Sequence, residues 1–305
     1  MEIAFFTEMG FKGKTPRTHN NMRTEFAWMC ALNADHYFIK DIPTKQYDLG
    51  IVIIPKKNPD FDIDSLKSSC KKIAVMQEGP NWYWQDYDLA KQIWYYNTLT
   101  SADIIFTHNK IDKIYYQGLT SHPDIRVMSS LMIEDAIDKD ELIKPENRSN
   151  VIIGGNFVSW YSGFDSYIVA NEIANNVFAP SMGIKQVGED QLVIHLPYFD
   201  WKNWITQLSG FKYGVHLMRT HAAGTFALNC AYLGIPCIGY KGLDTQEICH
   251  PNLTVEIGDL VTAKKLITLL KDKDYYKEQS QIAINNYKNN YTEEKFKQIF
   301  YDSFI

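Results

Sequence analysis

Short apolar segments rich in β-branched residues alternate with longer stretches of helical periodicity along nearly the whole chain, and this alternation limits the folds open to it. In the first half the apolar segments are bounded by Pro, Gly, Asn or Asp, as is typical of buried parallel strands. The predicted strands cover residues 2–6, 37–39, 49–54, 72–76, 103–107 and 126–129, and the predicted helices cover 22–33, 64–69, 86–99 and 110–118. A βαβ series of this kind folds into a parallel sheet with right-handed crossovers.

The same pattern restarts after a polar, charged stretch at residues 134–150, which has the composition of a linker. The predicted elements are strands at 151–153, 192–195, 214–218, 236–239 and 254–256, helices at 165–178, 201–208 and 225–233, and an amphipathic helical tail from residue 261. We therefore predict an α/β protein of two doubly wound, Rossmann-like domains that face a cleft. Their predicted bounds are 1–148 and 149–305, with the C-terminal helix packing back on the first domain.

Length, charge and cysteine usage exclude several classes of protein. The 305 residues carry 31 Lys and Arg against 36 Asp and Glu, which gives a formal net charge of −5. No apolar run approaches the roughly 20 residues that a membrane-spanning helix needs, and the N-terminus lacks the basic and apolar regions of a secretory signal. The five cysteines are scattered and form no CxxC pair, so we expect no disulfide framework, no zinc site and a reducing, cytoplasmic setting.

Residues 219–246 (RTHAAGTFALNCAYLGIPCIGYKGLDTQ) carry the clearest site signal. They are predicted to run from a strand through a loop of small residues into a helix, and then through a Gly-x-Pro turn into the next strand. Gly224 lets a ligand approach the backbone, and Thr225 offers a hydroxyl and free N–H groups at the helix N-terminus, which together favour an anion. Arg219 and His221 lie on the rim of this predicted anion site and add positive charge. The alternative is an ordinary strand-loop-helix unit whose glycine only relieves crowding.

The run GTFALNCAYLGIPCIGY, which begins at Gly224, resembles the nucleotide-sugar-binding segment of GT-B glycosyltransferases, and the stretch after it resembles their closing portion. This resemblance implies two Rossmann-like domains and a bound nucleotide-diphospho-sugar. It also implies that Asn229 lies near the donor ribose and that Asp244 and Gln246 lie in the loop near the sugar.

A second glycine-rich loop follows the first predicted strand of the second half. In GT-B enzymes the matching loop faces the donor phosphates, which implies that role for Gly154, Gly155 and Asn156; a turn needed only for backbone conformation is the alternative. The chain also departs from the family. Retaining members commonly carry a glutamate that bonds the donor ribose, whereas this chain has Asn229 there and His221 in place of an acid eight residues earlier. The stereochemical outcome of transfer is therefore left open.

The loop after the first strand is rich in basic residues, although the chain as a whole has a net negative charge. Between Met9 and Thr24 it contains Lys12, Lys14, Arg17 and Arg23 and no acidic residue. Its place at the carboxyl end of a parallel strand points it into the predicted cleft, where four cations suit a polyanionic acceptor such as DNA. A solvated surface loop is the alternative.

An aromatic run at residues 77–87 (QEGPNWYWQDY) follows another strand end. Trp82 and Trp84 can stack on a sugar or a base of the acceptor. Core packing is the commoner fate of such residues and is the alternative interpretation.

Transfer by inversion needs a carboxylate or imidazole that takes the proton from the acceptor hydroxyl. The candidates at strand ends near the expected cleft are Glu8, His19, Glu78 and Asp86. The sequence DFDID at residues 60–64 matches a D-x-D metal-binding pattern, but its place before a short predicted helix favours N-terminal capping. No metal ligand is therefore predicted.

The residues and the resemblance together predict a metal-independent glycosyltransferase that moves a sugar from a nucleotide-diphospho-sugar to an acceptor hydroxyl, with no cofactor besides that donor. The leading hypothesis for the acceptor is a hydroxymethylated base in double-stranded phage DNA, which would have to leave the base stack; the setting would then be the host cytoplasm. A glycan, lipid or protein acceptor is the rival. A nucleotide-sugar epimerase of the same fold and a non-catalytic sugar- or nucleotide-binding protein are further hypotheses. The oligomeric state is left open.

Overall fold

The computed structural model describes residues 1–10, 13–56, 61–181 and 185–304. The first half of the chain forms a seven-stranded sheet. Its strands are β1 (Ile3–Thr7), β2 (Gly13–Lys14), β3 (Asp35–Phe38), β4 (Tyr47–Ile54), β5 (Cys70–Gln77), β6 (Ile104–Thr107) and β7 (Ile125–Val127). They lie in the order β2-β3-β1-β4-β5-β6-β7, and every neighbouring pair is parallel except β2 with β3.

The second half forms a six-stranded, all-parallel sheet. Its strands are β8 (Ser149–Ile153), β9 (Val177–Ala179), β10 (Ile194–His195), β11 (Phe211–His216), β12 (Cys237–Tyr240) and β13 (Thr254–Val255). They lie in the order β10-β9-β8-β11-β12-β13.

Most of the helices lie between successive strands, and the last three follow the final strand of the second sheet. The helices are α1 (Thr24–Ala31), α2 (Leu89–Ser101), α3 (Lys110–Thr120), α4 (Gly163–Ala170), α5 (Trp201–Leu208), α6 (Thr225–Leu233), α7 (Asp244–Cys249), α8 (Leu260–Leu269), α9 (Lys273–Asn290) and α10 (Glu293–Asp302). Successive residues of β1 enter different apolar cores: Phe5 packs in the cluster that contains Trp28 of α1, and Phe6 in the cluster that contains Tyr95 of α2. A strand buried on both faces is typical of a doubly wound sheet. The predicted α/β class with two Rossmann-like parallel sheets is confirmed.

The largest difference from the predicted elements lies between residues 165 and 178. The sequence predicts one helix there, whereas α4 ends at Ala170 and a separate strand, β9, begins at Val177. Apolar residues continue at helical spacing through this segment, but two consecutive asparagines before Val177 favour a turn. Val177 then pairs with Val151 of β8. That long-range pairing decides the strand, and local periodicity does not reveal it.

The last helix, α10, crosses back from the second half to the first. Phe300 stacks on Phe106 of β6 with 6.0 Å between the ring centroids. Arg126 Nη1, in β7, donates to the Ser303 carbonyl at 2.6 Å just beyond the end of the helix. These contacts tie the end of the chain to the first sheet.

Three local features bear on the sequence predictions. None of the helices in the described ranges is long and apolar enough to cross a bilayer. All five cysteines are buried thiols outside any disulfide. Asp62 accepts a hydrogen bond from the Asp64 backbone N–H at 3.0 Å and so caps a short 3-10 helix (Ile63–Ser68), as the capping interpretation predicts, whereas Asp60 lies outside the described residues.

Candidate active site

A cavity of about 340 Å³ lies between the two sheets, where the carboxyl ends of strands from both halves meet. We refer to it as the main cavity. Its wall includes Arg23, Thr24, Glu25, Trp28, Lys56, Glu78, His108, Gly154, Trp160, Tyr161, His216, Ala222, Ala223, Gly224, Thr225 and Phe226. Ligands of doubly wound α/β proteins bind at this edge of the sheet. The main cavity is therefore the candidate active site.

Where the second-half wall of this cavity reaches the N-terminus of α6, it presents mostly backbone and small side chains. Gly224 precedes the helix with φ of 66°, and a Cβ there would lie 2.1 Å from Thr245 Oγ1. Gly154 follows β8, and a Cβ there would lie 2.5 Å from the His216 ring. Only glycine fits at these two positions. The backbone N–H groups of the first turn of α6 can then meet an anion without a side chain between them.

A smaller cavity of about 80 Å³ adjoins the main one and shares Arg23, Gly154, Thr225 and Phe226 with it. We refer to it as the side cavity. Its remaining wall residues are Pro180, Ser181, Pro197, Phe199, Trp204 and Asn229. The wall is largely apolar and aromatic, and the carboxamide of the buried Asn229 offers both a donor and an acceptor. This composition suits a flat, partly polar ring system.

Two neutral histidines line the main cavity from opposite halves. His216 is 5 % exposed and stands at the end of β11, between the rings of Tyr161 and Phe226. Neither of its ring nitrogens has a hydrogen-bond partner among the described residues, and burial lowers its pKa to about 4. Burial likewise lowers the pKa of His108, which directly follows β6, to about 4. Both rings are therefore uncharged at neutral pH and can donate or accept one hydrogen bond at each nitrogen.

Two carboxylates line the cavity from the first half. Glu78 pairs with Lys56 at 3.1 Å. Glu25 lies in the first turn of α1, where it accepts a hydrogen bond from the Thr24 hydroxyl, and burial raises its pKa. Thr24 itself has φ of 38°, an unfavourable conformation for a β-branched residue that is typical of functional sites. Glu25 is thus the carboxylate best tuned for proton exchange.

Aromatic rings from both halves meet beside the main cavity. Trp160 of the second half lies 6.2 Å from Trp82 and 6.0 Å from Tyr83, measured between ring centroids. Lys56 Nζ lies 5.6 Å from the Trp160 centroid. These faces can stack on a sugar ring or a base that enters the cavity.

The predicted donor-site residues divide into two groups. Gly154 and Thr225 line both cavities, whereas Gly224 lines the main cavity and Asn229 lines the side cavity. Their roles as ligands remain predictions. The other predicted residues lie outside both walls.

The predicted donor-site residues outside the two cavity walls are held there by contacts that differ from residue to residue. Arg219 forms an exposed ion pair with Asp165 at 2.7 Å. Gly155 packs against the Tyr161 side chain, and Asn156 is buried with its Oδ1 accepting from Val158 N at 3.4 Å. Gln246 is buried and donates from Nε2 to the Cys237 carbonyl at 3.0 Å. His221 and Asp244 face the first half, as described below.

Of the predicted acceptor-binding residues that the structure describes, only Arg23 lines the cavities, and burial lowers its pKa. Lys12 lies outside the described residues. Lys14 donates to the Asn33 carbonyl at 2.6 Å on the edge strand, and Arg17 is held by Asp135 and Glu293 at 2.6 and 2.7 Å. Trp82 contacts Trp160 at the mouth of the cavity, whereas Trp84 stacks on Tyr95 and donates to Tyr115, as the core-packing alternative predicts.

Among the four predicted bases, Glu78 lines the main cavity. Glu8 and Asp86 are exposed at the surface and belong to neither cavity wall. His19 stacks on Phe26 with 4.7 Å between centroids, and its Nδ1 lies 3.1 Å from both the backbone N and the carbonyl O of Asn21. Neither cavity wall includes His19.

Sequence reasoning missed several wall residues, above all Glu25, Lys56, His108, Trp160 and His216. His108 and His216 have a signal that could have found them, because each stands at the carboxyl end of a parallel strand. Glu25 has no such signal. It lies inside a predicted helix, and only the packing of α1 places it at the cavity.

No family model and no curated protein sequence matches this chain. Solved structures do match its fold over their full length. The HepE protein of Anabaena in complex with UDP has a TM-score of 0.67 and 11 % identity, with 100 % of this chain and 99 % of that chain covered. HepE in complex with UDP-glucose gives 0.66 and 10 %, and sucrose-phosphate synthase from Thermosynechococcus elongatus gives 0.65 and 9 %, each with the same two coverages. The chain therefore has the fold of GT-B glycosyltransferases, with two Rossmann-like domains around a cleft.

Proposed function

We propose that this protein is a glycosyltransferase that uses a nucleoside diphosphate sugar, with UDP as the first nucleotide to test. The observation that carries the proposal is the main cavity itself: it opens on the N-terminus of α6 through a glycine that cannot be replaced without a clash. A fold shared with HepE in complex with UDP-glucose supports the same conclusion.

The two connected cavities match the parts of such a donor. The side cavity would hold the nucleoside, with the base against its apolar wall and Asn229 bonded to a ribose hydroxyl or a base edge. The shared edge at Gly154 and Thr225 would hold the diphosphate, where helix N–H groups and Arg23 supply positive potential. The sugar would then project into the main cavity.

Glu25 is the proposed proton acceptor. In the transfer, the bond between the sugar anomeric carbon and the phosphate oxygen breaks, the acceptor oxygen bonds to that carbon, and the acceptor proton passes to Glu25. The nucleoside diphosphate leaves with its new negative charge facing the α6 N-terminus and Arg23. The neutral His108 and His216 can hold sugar hydroxyls in place without adding a charge.

The acceptor would carry a hydroxyl on a ring system that stacks on Trp160 and Trp82. A sugar of a glycan meets this description, and so does a hydroxymethylated base extruded from DNA. Lys14 and Arg17, which the sequence predicts to face a polyanion, are engaged in other contacts, so support for a DNA acceptor rests on Arg23 and the aromatic faces.

The decisive experiment incubates the protein with UDP-sugars and other nucleotide sugars, alone and with candidate glycans or hydroxymethylated DNA. Release of nucleoside diphosphate that depends on an acceptor supports the proposal, and dependence on DNA identifies that acceptor class. Interconversion of the sugar without acceptor would instead identify an epimerase. Binding of nucleotide sugar without turnover under any condition would identify a binding protein.

A further inference from the structure

The small-residue loop before α6 is held in place by side chains of the other half of the protein. Ala222, Ala223 and Gly224 have no side chains able to secure their own backbone. Instead, Asn109 Nδ2 donates to the Ala222 carbonyl at 2.9 Å, and Ser130 Oγ donates to the Ala223 carbonyl at 2.7 Å. Both donors belong to the first half. The anion-facing loop of one half is therefore shaped by the other.

Asn109 also takes part in a reciprocal cap between two helix N-termini. Its Oδ1 accepts from the Asp244 backbone N–H at 2.9 Å, and Asp244 Oδ2 accepts from the Lys110 backbone N–H at 3.2 Å. Each helix start, of α3 in the first half and α7 in the second, thus receives an acceptor from the other half. Asn109 is 1 % exposed, so its own contacts in this junction are shielded from solvent.

Asp112, one turn further along α3, links the same junction to the aromatic loop of the first half. Its Oδ2 accepts from Asn109 Nδ2 at 3.0 Å, and its Oδ1 accepts from Asn81 Nδ2 at 3.0 Å. His221 Nδ1 lies 3.4 Å from the same Oδ1. Asp112 is 5 % exposed, and a buried carboxylate that accepts from several groups holds them in a fixed relation.

We propose that Asn109 and Asp112, which we call the Asn109–Asp112 hub, are positioning residues that couple the donor-phosphate loop (219–226) to the aromatic loop (79–87). Binding of a diphosphate at the N-terminus of α6 orders the first loop, and the hub transmits that order to Asn81 and the rings beside the main cavity. The inference rests on the proposed function only for the identity of the anion. The hub itself consists of contacts present in the free protein.

Hydrogen–deuterium exchange of the free protein tests the connections one by one. Asp112→Asn removes the negative charge and replaces one of the two acceptor oxygens with an N–H donor, so one of the contacts to Asn81 and Asn109 is lost and the other is weakened. Exchange in both loops is therefore expected to speed up. Asn109→Ala is expected to speed exchange in 219–226 alone, and Asn81→Ala in 79–87 alone. Asp272→Asn, in the exposed cap of α9, is the control and should leave both loops unchanged.

Added inorganic pyrophosphate then tests the coupling. In the wild type it is expected to slow exchange in both loops, and in Asp112→Asn to slow exchange in 219–226 but not in 79–87. Asn109→Ala is expected to bind pyrophosphate about fivefold more weakly than the wild type. A fivefold change in affinity is at the low end of the usual range for coupling between two sites. A merely structural role of the hub would leave the protection of 79–87 by pyrophosphate unchanged in Asp112→Asn.

The outcomes separate this inference from the proposed function. Equal protection of both loops in Asp112→Asn, or faster exchange spread evenly over the chain, overturns the hub. Failure of the wild type to bind pyrophosphate or UDP overturns the anion site of the proposed function. In that case hydrogen–deuterium exchange of the variants without ligand still decides whether the hub connects the two loops. If Asp112→Asn does not fold, Asn109→Ala and Asn81→Ala decide the same question.

Discussion

The two walls of the main cavity are built from different chemistry. Around the N-terminus of α6 the second-half wall presents backbone and the small residues Gly154, Gly224 and Thr225, whereas the first-half wall carries the carboxylates Glu25 and Glu78. A diphosphate is the same in every nucleotide sugar, so helix N–H groups suffice to hold it. An acceptor hydroxyl must lose a proton, which needs a particular side chain at a particular place. The contrast teaches that, in the proposed function, the diphosphate is held mainly by backbone of the second half and the proton is accepted by a side chain of the first half.

The largest expected effect comes from the first-half wall. Glu25→Gln should lower kcat by about 100-fold or more, because general-base catalysis contributes about 10²–10⁴ in rate. The dissociation constant of UDP should stay within about twofold of the wild-type value, since the proposed nucleotide contacts do not include Glu25. Initial rates and calorimetric titration check the two effects. Glu8→Gln, an exposed carboxylate nearby in sequence, is the control; equal losses in both variants would contradict the assignment.

The second prediction concerns His216, a buried titratable side chain of the second-half wall. Burial lowers the pKa of His216 to about 4, below its value of about 6.5 in an unfolded chain. The unfolded state therefore binds more protons between pH 6.5 and pH 4, and the free energy of unfolding falls as the pH falls through that window. Wild type should lose about 2–3 kcal/mol more than His216→Gln between pH 7 and pH 4.5. Urea denaturation at the two pH values measures the difference, and parallel losses would contradict a buried neutral ring.

The third prediction tests the backbone nature of the second-half wall. Gly224→Ala combines a positive φ with a Cβ 2.1 Å from Thr245 Oγ1, so α6 must shift at its N-terminus. We expect about tenfold weaker binding of UDP, equivalent to about 1.4 kcal/mol, the scale of placing a side chain in the left-handed region. Gly188→Ala is the matched control, because Gly188 also has positive φ, of 91°, but faces open space. Equal affinities in the two variants would show that α6 does not bind the nucleotide.

The smallest effect is expected at Arg219. The sequence predicts that this cation faces the donor phosphates, whereas its guanidinium forms an exposed ion pair with Asp165. Exposed pairs contribute little, so Arg219→Ala should change UDP affinity by less than about twofold. Arg23→Ala, whose side chain lines both cavities, should weaken binding clearly more. If a titration showed that Arg219→Ala weakens UDP binding more than Arg23→Ala does, the sequence prediction for Arg219 would be correct, and the diphosphate would lie on the other side of α6.

The same contrast between the walls explains how far sequence reasoning reached. The helix at the donor loop is predicted to its bounds, Thr225–Leu233, because the glycine before it and the Gly-x-Pro turn after it are local signals. No local signal of this kind marks Glu25, because a glutamate in the first turn of a helix is common. Nothing local distinguishes it from Glu8 or Asp86, which are exposed.

Sequence patterning by itself determined most strands and helices of the two halves and the turn before α6, because each of these elements depends on residues within about 20 positions of one another. The tertiary structure alone decided which side chains meet. Glu25, His108 and His216 come from segments far apart in the chain, and the hub joins Asn109 to Ala222 across the cleft. Burial then changes the pKa values of the wall residues, and burial is a property of packing that no local pattern encodes.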